Sequence, residues 1–307
     1  MSHTYHPYFK FLLLVLLCLT VASCHHADSD EVFYGDTIRA KCTTGQTLKY
    51  VVVNGNTRTL QLVGFEDKYN YPAGPLVIPG RFSHNGQLFS VVSIRKKAFK
   101  HCSDITEVTI DDRIAEIDRG AFKRCTGLTR VHLPTSLTVI PRSLFSRCEN
   151  LASVNIPAGV TMIDEGAFRR CKSLTGVELP KHLRKIQYES FYGCTSLRAV
   201  SIPDGVDSIQ QRAFGDCHAL SNLRLPSTLR FIGDNAFMEC QTLTDVSLPD
   251  SLTHLGDAAF CGCTSLHTVR FPNTLRHVGS WCFWGCPQLT TNQLPSSVEE
   301  SGEHIFN

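Results

Sequence analysis

Apolar positions recur along this chain with a single long period. Phe99, Phe122, Phe145, Phe168, Phe191, Phe214, Phe237, Phe260, Phe283 and Phe306 each stand 23 residues apart. Nine cysteines, Cys102, Cys125, Cys148, Cys171, Cys194, Cys217, Cys240, Cys263 and Cys286, keep the same interval, as do eight prolines from Pro134 to Pro295. One unit runs Cys125-Thr-Gly-Leu128-Thr-Arg-Val131-His-Leu133-Pro134, continues through Leu137 and Ile140, and closes on Ser143-Leu144-Phe145 where most units have Ala-Phe. Its first half ends in the alternation of a short strand, and the proline stops it, so one brief strand is predicted per unit. In its second half, Ile117, Ala121, Phe122 and Cys125 fall at i, i+4, i+5 and i+8, one face of a short helix. Asp118 sits where an N-cap belongs, and Asp164, Asp234 and Asp257 take equivalent or adjoining places. The predicted fold class is therefore an α/β repeat solenoid with units of 23 residues, each a short strand plus a short helix. A lone unit cannot bury its apolar side; stacked units bury Phe on Phe and Leu on Leu.

The pattern changes at both ends. Leu48 to Val53 and Thr57 to Val63 alternate around Asn54-Gly55, a hairpin signal. Leu76-Val77-Ile78-Pro79 resembles a first repeat strand, and the residues between it and Ile94 include His84-Asn85-Gly86-Gln87, a second turn. At the other end Asn292 and Ser301 replace apolar residues of the repeat, which predicts a polar capping unit. The expected organisation is a signal segment over residues 1–23, a tether over 24–46, a β-rich N-terminal cap with its hairpin over 47–93, and a solenoid of about nine units over 94–307.

The apolar run Phe11 to Thr20 has the length of a signal-peptide core and is too short to span a bilayer as a helix. It ends in Val21-Ala22-Ser23-Cys24, which resembles the lipobox of bacterial lipoproteins. That resemblance implies cleavage before Cys24, lipidation of its thiol and anchorage to a membrane, since each buried methylene contributes about 0.8 kcal/mol. The competing reading is ordinary cleavage near Ala22 or Ser23 with Cys24 an incidental thiol. Both predict export.

Composition and charge then narrow the chemistry. With 42% hydrophobic residues over 307 positions the chain buries a substantial core, and its formal charge of +2 gives no reason to expect nucleic acid. The charge is unevenly spread: Lys and Arg outnumber Asp and Glu by 13 to 9 over residues 95–170, and are outnumbered 10 to 13 over residues 171–307. Fourteen cysteines in an exported chain suggest disulfides. Nine of them lie on one column with parallel side chains, which favours buried thiols packed as small hydrophobes. Cys261, Cys263, Cys282 and Cys286 raise the question of zinc, but three of the four fill regular repeat columns, so no metal is expected. No histidine pair has ligand spacing, and no nucleophile elbow or phosphate loop occurs, so neither a catalytic residue nor a cofactor is expected.

Two surfaces remain as candidates for binding. Residues flanking the strand valines point away from the core; among them Arg130, His132, Glu178, Arg224 and Arg270 carry charge or a titratable ring. The second is a basic stripe at the end of the predicted helices, Lys100-His101, Lys123, Arg124, Arg147, Arg169 and Arg170, which gives way to Asp216 and Glu239. Stacking makes it a ridge of positive charge suited to an anionic polysaccharide; the plainer account of both surfaces is a solvated face.

The unit Ile-x-x-x-Ala-Phe-x-x-Cys-x-x-Leu-x-x-Val-x-(Ile or Leu)-Pro over residues 94–307 resembles the BspA-like leucine-rich repeats of bacterial surface proteins. The preceding Pro-Leu-Val-Ile-Pro and Phe-Ser-Val-x-Ser-Ile segments are similar to the cap of that family. The resemblance implies a non-catalytic, adhesin-like protein at the outer membrane of a member of the Bacteroidetes, with host or microbial proteins or glycans as partners. The alternative it leaves is a structural outer-membrane lipoprotein without an external ligand.

Overall fold

The computed structural model describes residues 32–66, 71–290 and 293–306. The signal segment and Cys24 lie outside them, as does Asn292. The chain winds into a coil that advances one parallel strand every 23 residues: Arg130, Val131 and His132 pair with Ser153, Val154 and Asn155, and Phe231 and Ile232 pair with His254 and Leu255.

Each turn of the coil carries two short strands, where one was expected. The first belongs to the valine column: Arg130–His132, Ser153–Asn155, Ala199–Ser201, Asn222–Arg224, Asp245–Ser247 and Thr268–Arg270. The second ends on the isoleucine column: Glu116–Ile117, Val139–Ile140, Met162–Ile163, Lys185–Ile186, Ser208–Ile209, Phe231–Ile232, His254–Leu255, His277–Val278 and Glu300–Ser301. Proline, which has no N–H to give a ladder, separates the two.

The predicted helix is absent: no described residue is helical, so the α component of the expected class is corrected. The third side of each coil is a run of turns with a regular alternation. Gly120, Phe122 and Arg124 donate their N–H groups to the carbonyls of Arg142, Leu144 and Ser146 in the next coil, while Ala121, Lys123 and Cys125 donate to the carbonyl three residues back. A helix would use those donors within its own turn. Here every second one ties adjacent coils together. Two residues per coil adopt the left-handed conformation to achieve this, as Gly120 (φ 63°) and Arg124 (φ 62°) do. The four-residue spacing taken for a helical face is the distance between these two positions. Asp118 accepts the N–H of Lys96 in the preceding coil, and Asp234 and Asp257 accept N–H groups of Asp257 and Ser280 in the following one. These aspartates cap neighbouring coils; they do not cap helices.

The core is a set of stacked columns. The Phe rings from Phe99 to Phe306 lie face to face with centroids 5.2 to 5.9 Å apart. The cysteine column beside them is buried and free of disulfides. Its thiols do more than fill space. Each from Cys125 to Cys286 donates to the carbonyl of the Phe in the preceding coil, for instance Cys125 to Phe99 at 3.0 Å and Cys194 to Phe168 at 3.3 Å.

The N-terminal cap feeds both ladders. Strands β1 (Thr37–Lys41), β2 (Thr47–Asn54) and β3 (Thr59–Phe65) are antiparallel, and the hairpin expected around Asn54-Gly55 is the β2–β3 pair. Strand β1 lies within the segment expected to be a tether, so the folded part begins before residue 47. Strand β4 (Gly74–Ile78) pairs with β7 (Ile105–Ile110) to start the valine ladder. Strands β5 (Arg81–His84) and β6 (Gln87–Ile94) form a second hairpin, and β6 joins β3 to Glu116–Ile117 at the head of the isoleucine ladder. Asn85 (φ 48°) and Gly86 (φ 74°) form its two-residue turn, the left-handed pair that a twisted hairpin favours.

Candidate functional site

The valine-column ladder offers an open face, because strand residues point alternately inward and outward. Val131 and Val200 are buried, while the flanking Arg130, His132, Ala199 and Ser201 are exposed. The ladder is not continuous. Gly176, Val177 and Glu178 form no strand, and their ladder pairing among the described residues is a single bridge from Gly176 to Ala199. Gly176 has no side chain to pack, and a Cβ built there meets nothing within 4 Å. Val154 before the break and Val177 within it are only partly buried. The result is a shallow depression of about 760 Å³. Arg130, His132, Ser153, Asn155, Gly176 and Glu178 line it.

The depression is electrically asymmetric. Glu107 supports its basic side: its Oε1 lies 3.3 Å from His132 Nε2 and 3.8 Å from Arg130 Nη1. Glu178 stands alone on the other side, two coils on, about 10 Å away at the strand spacing of roughly 4.8 Å. Three of the residues expected on this face, Arg130, His132 and Glu178, thus meet in one groove. Arg224 and Arg270 share the column and are exposed, but lie two and four coils beyond Glu178 and outside the groove. Ser153, Asn155 and Gly176 line the groove, with Glu107 paired to its basic side, and they were not singled out from the sequence. The 23-residue columns contain them, but only the break in the ladder distinguishes them from their neighbours.

The basic stripe is a ridge along the turn side of the coil. His101, Arg124, Arg147 and Arg170 occupy the second left-handed position of four successive coils (φ 70°, 62°, 63° and 59°). Lys100, Lys123 and Arg169 precede three of them. Arg169 is set apart by its contacts. Its Nε lies 2.7 Å from Oε2 of the buried Glu189, whose other oxygen accepts from Tyr188 and lies 3.7 Å from Arg212, and its guanidinium lies over the Tyr192 ring. Arg169 is thereby a structural residue. Partial burial, and then repulsion from Lys100, Arg124, Arg147 and Arg169, hold the Lys123 ammonium below its ordinary range.

Two further exposed features were not expected. Phe231, His254 and His277 stack on the isoleucine ladder with centroids 4.6 and 4.2 Å apart, and His277 Nδ1 lies 3.1 Å from Glu300 Oε2. Trp281 and Trp284 stand about half exposed on the turn side of the last coils. The 23-residue spacing of 231, 254 and 277 carried the signal for the stack. Among the described residues, no group of three His, Cys, Asp or Glu side chains is placed to hold a metal ion, and no helix is long and apolar enough to cross a membrane.

The two-strand coil, with its Phe and Cys columns, has counterparts among known proteins. The model of the BspA type leucine rich repeat region matches residues 92–221 and 184–307, in six copies. The chain belongs to this family. Among solved structures it is similar to a leucine-rich repeat protein from Bacteroides ovatus, at 28% identity with a TM-score of 0.63, over 92% of this chain and 80% of that one. A leucine rich cell surface protein from Faecalibacterium prausnitzii has the same fold, at 23% identity with a TM-score of 0.53, over 87% of this chain and 85% of that one. No curated protein matches the sequence. This member of the BspA type thus consists of a two-ladder solenoid and a β-rich cap.

Proposed function

We propose that the protein is a non-catalytic binding module, displayed at the cell surface, whose valine-ladder face engages a protein of the host or of neighbouring microbes. The observation that carries this reading is the break at Gly176. It opens a groove between Arg130 and His132 on one side and Glu178 on the other. Charges of both signs about two coils apart, with Ser153 and Asn155 between them, suit a polypeptide carrying both signs better than a uniform polymer. The likeness in fold to a leucine rich cell surface protein supports display outside the cell. Lipidation at Cys24, after removal of residues 1–23, would hold the protein to the outer membrane. Arg224 and Arg270 extend the contact beyond the groove.

The test is a binding screen of soluble residues 25–307 against matrix and bacterial surface proteins, repeated with Gly176→Thr. A β-branched residue fits the open space at 176, favours the strand and fills the groove. Binding is expected to fall at least tenfold while the melting temperature holds or rises. Unchanged binding by Gly176→Thr would place the ligand elsewhere. Protease shaving of intact cells checks display: a protein that survives shaving is not an external binder.

A further inference from the structure

The turn-side ridge carries two costs that the fold itself does not require. The left-handed conformation costs a residue with a Cβ about 1 to 2 kcal/mol, and glycine nothing. Three later coils put glycine at this position, Gly193, Gly262 and Gly285, while Asp216 and Glu239 hold it in the other two. Four consecutive coils nevertheless place His101, Arg124, Arg147 and Arg170 there.

The second cost is electrostatic. Among the described residues Arg169, within the ridge, pairs with Glu189, while no carboxylate lies within ion-pair distance of Lys100, Lys123, Arg124, Arg147 or Arg170. The nearest acid to influence Arg147 is Glu149, which is itself paired with Lys172 at 2.8 Å. Burial and the surrounding cations press on His101, Lys123 and Arg147 alike. Strain and repulsion repeated over these coils, offset among the described residues by no direct ion pair to these five cations, fit a surface completed by an anionic ligand.

We propose that the ridge formed by Lys100, Lys123, Arg124, Arg147 and Arg170 binds a linear anionic glycan, sulfated or uronate-bearing, lying along the coil axis. The shared backbone conformation sends Arg124, Arg147 and Arg170 outward from three successive coils, with Lys100 on the coil before, so positive charge repeats at about the strand spacing of 4.8 Å over four coils. A linear polymer with a charge on every sugar or two can follow such a row. The row stops at Gly193 and changes sign at Asp216 and Glu239, which limits the ligand to a short stretch. A nucleic acid strand would gain from aromatic platforms between the cations; beside Arg170 the Tyr192 ring is already covered by Arg169. This site is separate from the groove at Gly176, and either can fail without the other.

Heparin-derived sulfated oligosaccharide serves as the probe, titrated against the purified protein at low and physiological salt. Duplex DNA and phosphatidylglycerol vesicles are run beside it. The decisive variant is Arg124→Gly with Arg147→Gly, which removes two cations and relaxes the backbone, so folding should not suffer. Expected are binding that weakens steeply with salt, a loss of at least tenfold in the double variant at an equal or higher melting temperature, and no change in Arg198→Ala, at an exposed arginine outside both the ridge and the groove. The proposal is overturned if the oligosaccharide does not bind at low salt, or if the double variant binds as well as the parent. Tighter binding of DNA or vesicles than of the oligosaccharide also overturns it, in favour of that anion.

Discussion

Individual residues on the turn side carry costs set by backbone geometry. Ala258 adopts φ 52° at the first left-handed position, where Gly120 and Gly166 stand in earlier coils. The Cβ costs about 1 to 2 kcal/mol there, and glycine gives back about 0.5 to 1 kcal/mol through the entropy of the unfolded chain. Ala258→Gly is therefore expected to stabilise the protein by about 0.5 to 1 kcal/mol, measured by urea unfolding; a loss would show that the methyl group packs usefully. His254 sets a different balance. Burial, and then the neighbouring His277, hold its pKa below 6.5. The folded state thus binds this proton less readily than the unfolded chain. His254 contributes no penalty above the unfolded value, and stability is lost as pH falls from about 6.5 toward the lowered folded value. His254→Phe would continue the stack begun by Phe231 without a titrating group. Its melting temperature should fall less between pH 7.5 and 5.5 than that of the parent, and an identical fall in both would remove His254 as a source of the pH dependence.

Within one coil, the columns differ in what they stabilise. Phe191 is fully buried with rings on both sides at 5.3 Å, whereas Phe306 is partly buried and stacks on Phe283. Phe191→Ala is expected to cost about 3 to 5 kcal/mol and Phe306→Ala clearly less; equal costs in thermal or urea unfolding would contradict stacking as the main source of stability. The cysteine column should be chemically silent up to Cys263, whereas a hydrogen bond with Cys263 holds the Cys286 thiol below its ordinary range. Burial pushes Cys194 up to about 12, so alkylation of the native protein should modify the half-exposed Cys261 first and leave the column from Cys102 to Cys240 intact. Labelling of Cys194 before Cys261 would mean that the coils open readily. These columns, and the strand ending at Pro134, were legible in the sequence because burial and a missing N–H leave a strict period. The turn side was not. Phe122 and Cys125 have helical spacing, yet the helix requires backbone bonds within one coil, and the protein makes them between coils. Glycine at 120, 166, 193, 262 and 285 was the available sign, since glycine recurring at two positions four residues apart marks left-handed turns better than a helix. The second strand escaped notice because two residues, such as Lys185 and Ile186, are too few to display an alternation.

At the scale of the molecule, stability in such an array is a sum over coils and the contacts between neighbours, so it is set locally. Several places are weak by this measure. The Glu300–Ser301 strand has a neighbour on one side only among the described residues, and both its residues are exposed. The edge strand β5 is bonded to β6 alone. Another lies inside the coil, at residues 176–178, where the valine ladder lacks a strand; the same ladder is interrupted again between Arg224 and Asp245. The isoleucine ladder is also split nearby, between the Val139–Met162 pair and the run that begins at Lys185. Both ladders therefore lapse within about one coil of Gly176, leaving the Phe and Cys columns and the turn-side bonds, such as Phe168 to Ser190 and Arg170 to Tyr192, to carry continuity. Amide exchange should reveal this as a minimum of protection at residues 175–179, below that of the gap between Arg224 and Asp245, where the isoleucine ladder runs unbroken, in addition to fast exchange at the C-terminal strand. Gly176→Thr should raise the minimum selectively, since a β-branched residue favours the strand that glycine forgoes. If protection instead declines smoothly from the centre to both ends, the break is not a weak point, and the groove at Gly176 loses the local softness that would let it adjust to a partner.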